Sequence, residues 1–286
     1  MPNSPADAAT GAAFLQRLRF VAQSAAGDVV LAEFSEPYPR RAVAEIRPLA
    51  ELTATPPVAA VADEFRVLQL AKGAEGEAEW QKWAEAWMAP REPGDAGAPV
   101  RVTFDGGWLL WRPGRAACLA APERREELAA ALVEFAFHEG ELRRLEQELS
   151  GFWEQAGTDA RLAHAVRAED LPLRAAIGET SRRVVEWRIR AARLESRLLR
   201  PGPALTPAGR RAGETLREKA ELEERLETLD GQLEVYEYIY EGVNQRLSDY
   251  VTARREYIVE LAIVVLLAAE TVFVVAELFL SWWMTP

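Results

Sequence analysis

Cysteine occurs once in this chain and histidine twice. A single cysteine excludes an internal disulfide and any cysteine-built metal site. Two histidines mean that a zinc site or a nucleophile triad would have to be assembled mostly from carboxylates. Cys118 lies in "RAACLAA", an apolar and strand-like setting, and is expected to be a small buried hydrophobe rather than a reactive thiol. Phosphate-binding glycine loops and dinucleotide fingerprints are missing. The N-terminus, "MPNSPADAATGAAF", has no basic end followed by an apolar run, so no secretory signal is expected. Positive charge is short as well. At a net charge of -11 the surface as a whole repels phosphate backbones, and direct nucleic-acid binding is not expected.

The densest group of polar candidates is "FHEGELRRLE", with His138, Glu139, Glu141 and Glu146. His138 and Glu141 are three apart, as in a Glu/His carboxylate site. Their order and neighbours do not match a bundle ligand set, and His138 occupies a seam position suited to a packed core histidine. His164 has no clustered partner. No catalytic residue, cofactor or metal is assigned, and the chain is not expected to be an enzyme.

What is present is helix. The 286 residues are rich in Ala, Arg, Glu and Leu, with room for two compact units or for one domain and a long helical extension. Residues 1–13 are small and polar and are expected to be disordered. From Leu15 to Leu119 the apolar runs are strand-sized: "RLRFVAQ", "DVVLAEF", "AVAEIRPL" and "FRVLQLA", each bounded by turn-formers. In "VRVTFDGGWLLWRPGRAACLA", Asp105-Gly106-Gly107 is expected to supply the positive-φ positions of a hairpin, and Pro113-Gly114 a second turn. Trp80, Trp83 and Trp87 share one face of a short helix and are expected to pack in a core rather than to form a ligand cage. Residues 14–121 are therefore predicted to be a small α+β domain.

From 122 to 256 the pattern predicts three helices, at about 124–156, 170–200 and 208–256. In the first, Leu128, Phe135, Leu142 and Leu149 recur every seven residues, with Ala131, His138, Leu145 and Phe152 three places behind. Asp170 is placed to cap the second ahead of Pro172. There Leu173, Ile177, Thr180, Val184, Trp187, Ala191, Leu194 and Leu198 step by four and three. "RPGPALTP" then ends the helix. In the third, Leu222, Leu226, Leu229, Leu233, Tyr236, Tyr240, Val243, Leu247 and Tyr250 keep the same alternation, the seam of a left-handed coiled coil. Residues 170–200 hold eight arginines against four acids, and 214–241 hold ten acids against three basic residues. These complementary flanks predict an antiparallel hairpin, with charge selecting register more than supplying stability. The arginine face is alternatively a surface for RNA or lipid headgroups. A helix over 208–256 would run roughly 70 Å against roughly 45 Å for its partner. Another element, either helix 124–156 or a second copy of the chain, must then cover its far end, where most of the tyrosines at 236, 240, 250 and 257 fall.

The closing stretch, "YIVELAIVVLLAAETVFVVAELFLSWWMTP", would span roughly 40 Å as a helix, more than the roughly 30 Å of a hydrocarbon core. Residues 257–283 are predicted to be a single transmembrane anchor, a tail anchor, with Trp282 and Trp283 at the far interface. Arg246, Arg254 and Arg255 precede it and keep the N-terminal bulk cytoplasmic by the positive-inside tendency. Glu260 can reach headgroups and Glu277 lies toward the far side. Glu270 falls near the middle, where an ionisable group costs about 2.5–3.5 kcal/mol on insertion scales. Glu270 and Glu277, seven apart, share a face. Three readings are open for them: contact between copies, a tolerated neutral carboxyl, or ion or proton conduction.

"VNQRLSDYVTARREYIVELAIVVLLAAETVF" resembles the C-terminal signature of the "required for meiotic nuclear division" family, also called domain of unknown function 155. The matching residues are Asn244, Arg246, Leu247, Glu260 and Glu270; Leu261 stands where the family usually has a Trp or bulky residue. The resemblance covers about the last fifth of the chain. It implies an inner-membrane protein with a large soluble N-terminal part, a C-terminal span and homo-oligomeric assembly. Eukaryotic members are linked to mitochondrial translation as ribosome tethers, whereas the composition here looks bacterial. A long helix entering a span is also similar to the cobalt/magnesium channel family, but the second span and Gly-Met-Asn loop of that family are absent. The expectation is an α+β N-terminal domain followed by long antiparallel coiled-coil helices running into a single C-terminal transmembrane helix. Its function is then that of a membrane-anchored, homo-oligomeric scaffold or tether presenting the α+β domain to a protein partner. The alternative is an ion or proton channel or transporter subunit with Glu270 in the span.

Overall fold

The computed structural model describes residues 13–47, 63–73, 77–89, 98–104, 106–198 and 205–283, without the side chains of 277–283. Seven strands come first: β1 (Ala13–Val21), β2 (Val29–Phe34), β3 (Arg40–Arg47), β4 (Glu64–Ala71), β5 (Val100–Phe104), β6 (Gly107–Arg112) and β7 (Arg115–Ala120). Helix α1 (Glu77–Met88) lies between β4 and β5. Helices α2 (Pro122–Ser150), α3 (Trp153–Asp159), α4 (Arg174–Leu198), α5 (Pro207–Lys219) and α6 (Leu222–Trp283) follow, with 3-10 turns at Ala160–Ala163 and Ala168–Leu173. The chain divides into two compact units. One comprises Met1–Gly151 with Glu186–Gln232, the other Phe152–Val185 with Leu233–Pro286.

The first unit is built on one mixed sheet of order β2-β3-β1-β4-β7-β6-β5, antiparallel except where β4 pairs β7 with Leu68 opposite Ala117. Period-two alternation sorts its side chains onto two faces. Leu15, Leu68 and Leu110 meet Trp87 and Met88 of α1 on one face, with Trp80 and Trp83 packed at the margin. On the other face Phe20 meets Phe137 of α2 at 5.4 Å and Trp111 meets Phe135 at 5.0 Å. All six residues of β7, Cys118 included, are buried, as a strand covered on both faces requires. Each fully buried Leu or aromatic contributes about 1.5–3 kcal/mol.

Turn chemistry sets the register of the β5–β6–β7 meander. Gly106 takes φ +87, but Gly107 is required for another reason: a Cβ there would lie 2.1 Å from the Leu119 carbonyl oxygen. Asp105 lies outside the described residues. Pro113 followed by Gly114 at φ +76 has the residue order of a type II turn.

Two helix boundaries differ from the heptad pattern. The predicted helix 208–256 is two helices, because Glu221 turns the chain at φ +53 between α5 and α6. The left-handed residue costs about 1–2 kcal/mol. The turn leaves Leu222 buried and brings Lys219 Nζ to 2.6 Å from the Arg101 carbonyl. The four-three repeat does not report this turn, since it begins at Leu222, just after it. Asp170 does not cap α4. Its carboxylate accepts from the Arg167 amide at 2.9 Å and closes the preceding 3-10 turn. Past the proline-rich break, Thr206 caps α5 by accepting from the Gly209 amide at 3.2 Å, with Pro207 in the first turn.

Candidate functional site

In the second unit, α3 and the 3-10 turn after it lie along α6. The Phe152 ring packs 5.2 Å from Tyr236 and 5.7 Å from Tyr240, and Trp153 lies 4.9 Å from Tyr236. The end of the first predicted helix thus covers these tyrosines. The Tyr240 hydroxyl donates to Asp159 at 2.8 Å, and burial first, then that carboxylate, holds its proton on well above the ordinary phenol range. Further along, Arg246 Nε donates to the Ala163 carbonyl at 3.3 Å and Asn244 Nδ2 to Ser181 Oγ at 2.5 Å. Two of the residues singled out by family likeness, Asn244 and Arg246, therefore tie α6 to the segments packed on it, and a third, Leu247, is 1% exposed.

Along α6, Leu222, Leu229, Leu233, Tyr236, Tyr240, Val243 and Leu247 are buried, whereas Leu226 and Tyr250 are half-buried. From Thr252 onward every described side chain is exposed. Leu266 is 69% and Phe273 73% exposed. This is one helix long and apolar enough to cross a membrane. Its most apolar window has a mean hydropathy of 2.6 with none of it buried. Glu260 and Glu270 lie on it, both exposed; ten residues apart, they are rotated by roughly 80° from one another. Thr271 satisfies its hydroxyl on the Leu267 carbonyl at 2.8 Å. The side chain of Glu277 is outside the described residues, as are those of Trp282 and Trp283.

The first unit holds a polar cluster that periodicity does not announce. Tyr38, in the β2–β3 turn, donates to Glu141 of α2 and receives a hydrogen bond from Arg144, which also reaches Asp63 at 2.9 Å. Burial first, then the Glu141 carboxylate, pushes the Tyr38 hydroxyl up to about 12. Burial also raises the Glu141 carboxyl, against the pull of Tyr38 and Arg144. The same turn is held by α4, where Arg193 reaches the Pro37 carbonyl at 3.2 Å and Arg197 reaches Glu36 at 2.7 Å. Nearby, Arg225 bridges Glu139 at 3.2 Å and Glu146 at 2.7 Å, and Glu148 accepts from Trp187 at 2.7 Å. Every carboxylate here is engaged by an arginine, a tyrosine or a tryptophan, which makes the cluster a fastener. Among the described residues no group of three His, Cys, Asp or Glu side chains could hold a metal.

His138 is buried between Phe34, at 5.7 Å, and Phe137, at 5.1 Å, and burial pushes its imidazole down to about 4. A neutral imidazole in the fold and an ordinary one near 6.5 in the unfolded chain fix the sign. The contribution is complete above pH 6.5 and is lost as pH falls toward 4, at up to about 1.4 kcal/mol per pH unit. Urea midpoints should therefore drop between pH 6.5 and 4.5, and His138→Phe should flatten that part of the slope. An unchanged slope would contradict this assignment.

No family model matches the chain, and no curated protein matches it.

Proposed function

We propose that this chain is a membrane-anchored, homo-oligomeric coiled-coil scaffold or tether that presents its α+β unit to a protein partner. The observation that carries the reading is the exposed apolar run of α6. From Tyr257 to Ala276 it would rise about 30 Å, the depth of a hydrocarbon core. A continuous apolar surface of this size left uncovered by its own chain marks a membrane or protein contact. Lipid satisfies it along the whole length, since a helix closes its own backbone hydrogen bonds. Arg254 and Arg255 just before the run support the soluble bulk on the cytoplasmic side of an inner membrane.

The coiled-coil part of the reading is supported by the buried four-three seams of α4 and α6. Arg188 pairs with Asp230, and Ser181 with Asn244, as two helices running in opposite directions would allow. Likeness to the "required for meiotic nuclear division" family supports oligomers of a membrane-held protein. The cluster around Tyr38 supports a scaffold over an enzyme, because its polar groups satisfy each other.

Glu270 is the polar group to test. A carboxyl at mid-run is costly unless it meets another polar group, and the same residue of another copy would supply one. Glu270→Leu should shift the detergent-solubilised protein from a defined multimer toward smaller species in mass photometry. A wild-type monomer in mild detergent would contradict the oligomer. Proton or cation flux into proteoliposomes that is lost in Glu270→Leu would replace the scaffold by a channel subunit.

A further inference from the structure

In the second unit α6 carries an uncharged stripe on the side away from its seam. Two places past the seam residues Leu233, Tyr236, Tyr240 and Val243 come Val235, Tyr238, Gly242 and Gln245. Two residues turn a helix by roughly 200°, so these four face away from the packed side. Val235 is 42% and Tyr238 80% exposed, Gln245 is exposed, and Gly242 is half-buried beside Ala163. The acids of this stretch, Glu234, Glu237 and Glu241, all lie off the stripe. The same four-three step, carried on past Asp249 and Glu256, enters the apolar run and reaches Leu266, Glu270 and Phe273. Tyr238 and Glu270 thus lie on one line, roughly 48 Å apart.

No single medium suits that line. Tyr238 stands roughly 28 Å along the helix before Tyr257, out of reach of lipid, while Glu270 lies in mid-run, where a carboxyl needs a polar neighbour. A helix that follows α6 through both media, and offers a polar group at the depth of Glu270, covers both. A second α6 entering the same membrane in the same direction is such a helix. Its charges fit as well. In a parallel pair, the residue just before one stripe position meets the residue five places further along the other helix. That sets Glu241 against Arg246, and Arg255 against Glu260, opposite charges in both cases. Within the apolar run the places before the stripe hold Ala262, Ala269 and Ala276, small side chains that let two helices approach closely. Asp249 and Glu256 would each face their own copy and weaken the contact.

Building on the reading of the chain as a membrane-inserted homo-oligomer, we infer that this stripe is the contact between two copies. Their α6 helices lie parallel, with Tyr238 beside Tyr238 and Glu270 beside Glu270 of the second copy. A four-three stripe drifts by about 20° per heptad on a straight helix, so the two copies wind left-handed to stay in contact. Tyr238 then contributes to association between copies rather than to the folding of one chain.

The test is disulfide cross-linking of the full chain in membranes with copper phenanthroline. Cys118 is buried, so each single-cysteine variant presents one accessible thiol. Tyr238→Cys and Leu266→Cys lie on the stripe; Val185→Cys in α4 and Ala268→Cys lie off it, and all four positions are exposed. A disulfide needs Cα atoms within about 7 Å, so only facing positions react. Tyr238→Cys and Leu266→Cys should each give a disulfide-linked dimer of this chain, and the other two should stay monomeric. Added to Tyr238→Cys, Glu241→Lys should lower the dimer yield and Asp249→Asn should raise it, each by about two- to threefold, the size of an exposed charge pair. A missing dimer at either stripe position, or dimers at Val185→Cys or Ala268→Cys instead, overturns the stripe as the contact. A defined multimer in mass photometry then leaves the homo-oligomer standing. Cross-links from the stripe to a different polypeptide overturn the second copy as its occupant. A wild-type monomer in mild detergent overturns the homo-oligomer itself.

Discussion

Placing arginine at both Val264 and Leu267 should move the protein out of the membrane fraction. Each arginine at mid-run costs about 2.5–3.5 kcal/mol on insertion scales, while each Leu, Ile, Val or Phe favours insertion by only about 0.3–0.6 kcal/mol. Two such changes therefore oppose the apolar sum of the whole run, and Glu270 leaves little surplus. The matched control is Ile189→Arg in α4. That side chain is 47% exposed, and it lies where the account puts water. The control protein should stay with membranes. If the double variant also stayed there, the run between Tyr257 and Ala276 would not be what holds the chain.

A second large effect is expected at Tyr236. Its side chain is 0% exposed, wedged against Phe152 and Trp153. Tyr236→Ala removes that ring from a packed site, at about 3–5 kcal/mol for an aromatic truncation. Two residues away Tyr238 is 80% exposed, and Tyr238→Ala should change stability by less than about 0.5 kcal/mol. The pair shares residue type and helix propensity, so the difference isolates packing. Measured by chemical unfolding, equal effects at the two positions would mean that α3 does not cover the seam of α6.

Much of the first unit was legible because its physics is local. "DVVLAEF" and "FRVLQLA" carry strand composition between turn-formers and became β2 and β4, and the tryptophan spacing marked the inner face of α1. Most of the buried positions of α2, α4 and α6 fall where heptad spacing put them, with Leu226 and Tyr250 half-buried and Leu173 exposed. What stayed hidden depends on contacts far apart in the chain. Tyr38 and Glu141 are 103 residues apart, and no pattern in either segment points to the other. The left-handed Glu221 interrupts a helix without a glycine or proline to signal it. The chain's division was hidden for the same reason: α4 and α6 each contribute to both units, and a repeat that runs through a boundary cannot mark it. At the C-terminal end the reverse holds. Composition announced the apolar run, and the structure adds that nothing in the described chain covers it.

Whether α6 enters lipid is decided by alkaline carbonate extraction of membranes from cells producing the full chain. A membrane-inserted α6 keeps the protein in the pellet after the wash and releases it only when detergent is added. Full release into the carbonate supernatant as an intact, folded polypeptide would contradict it.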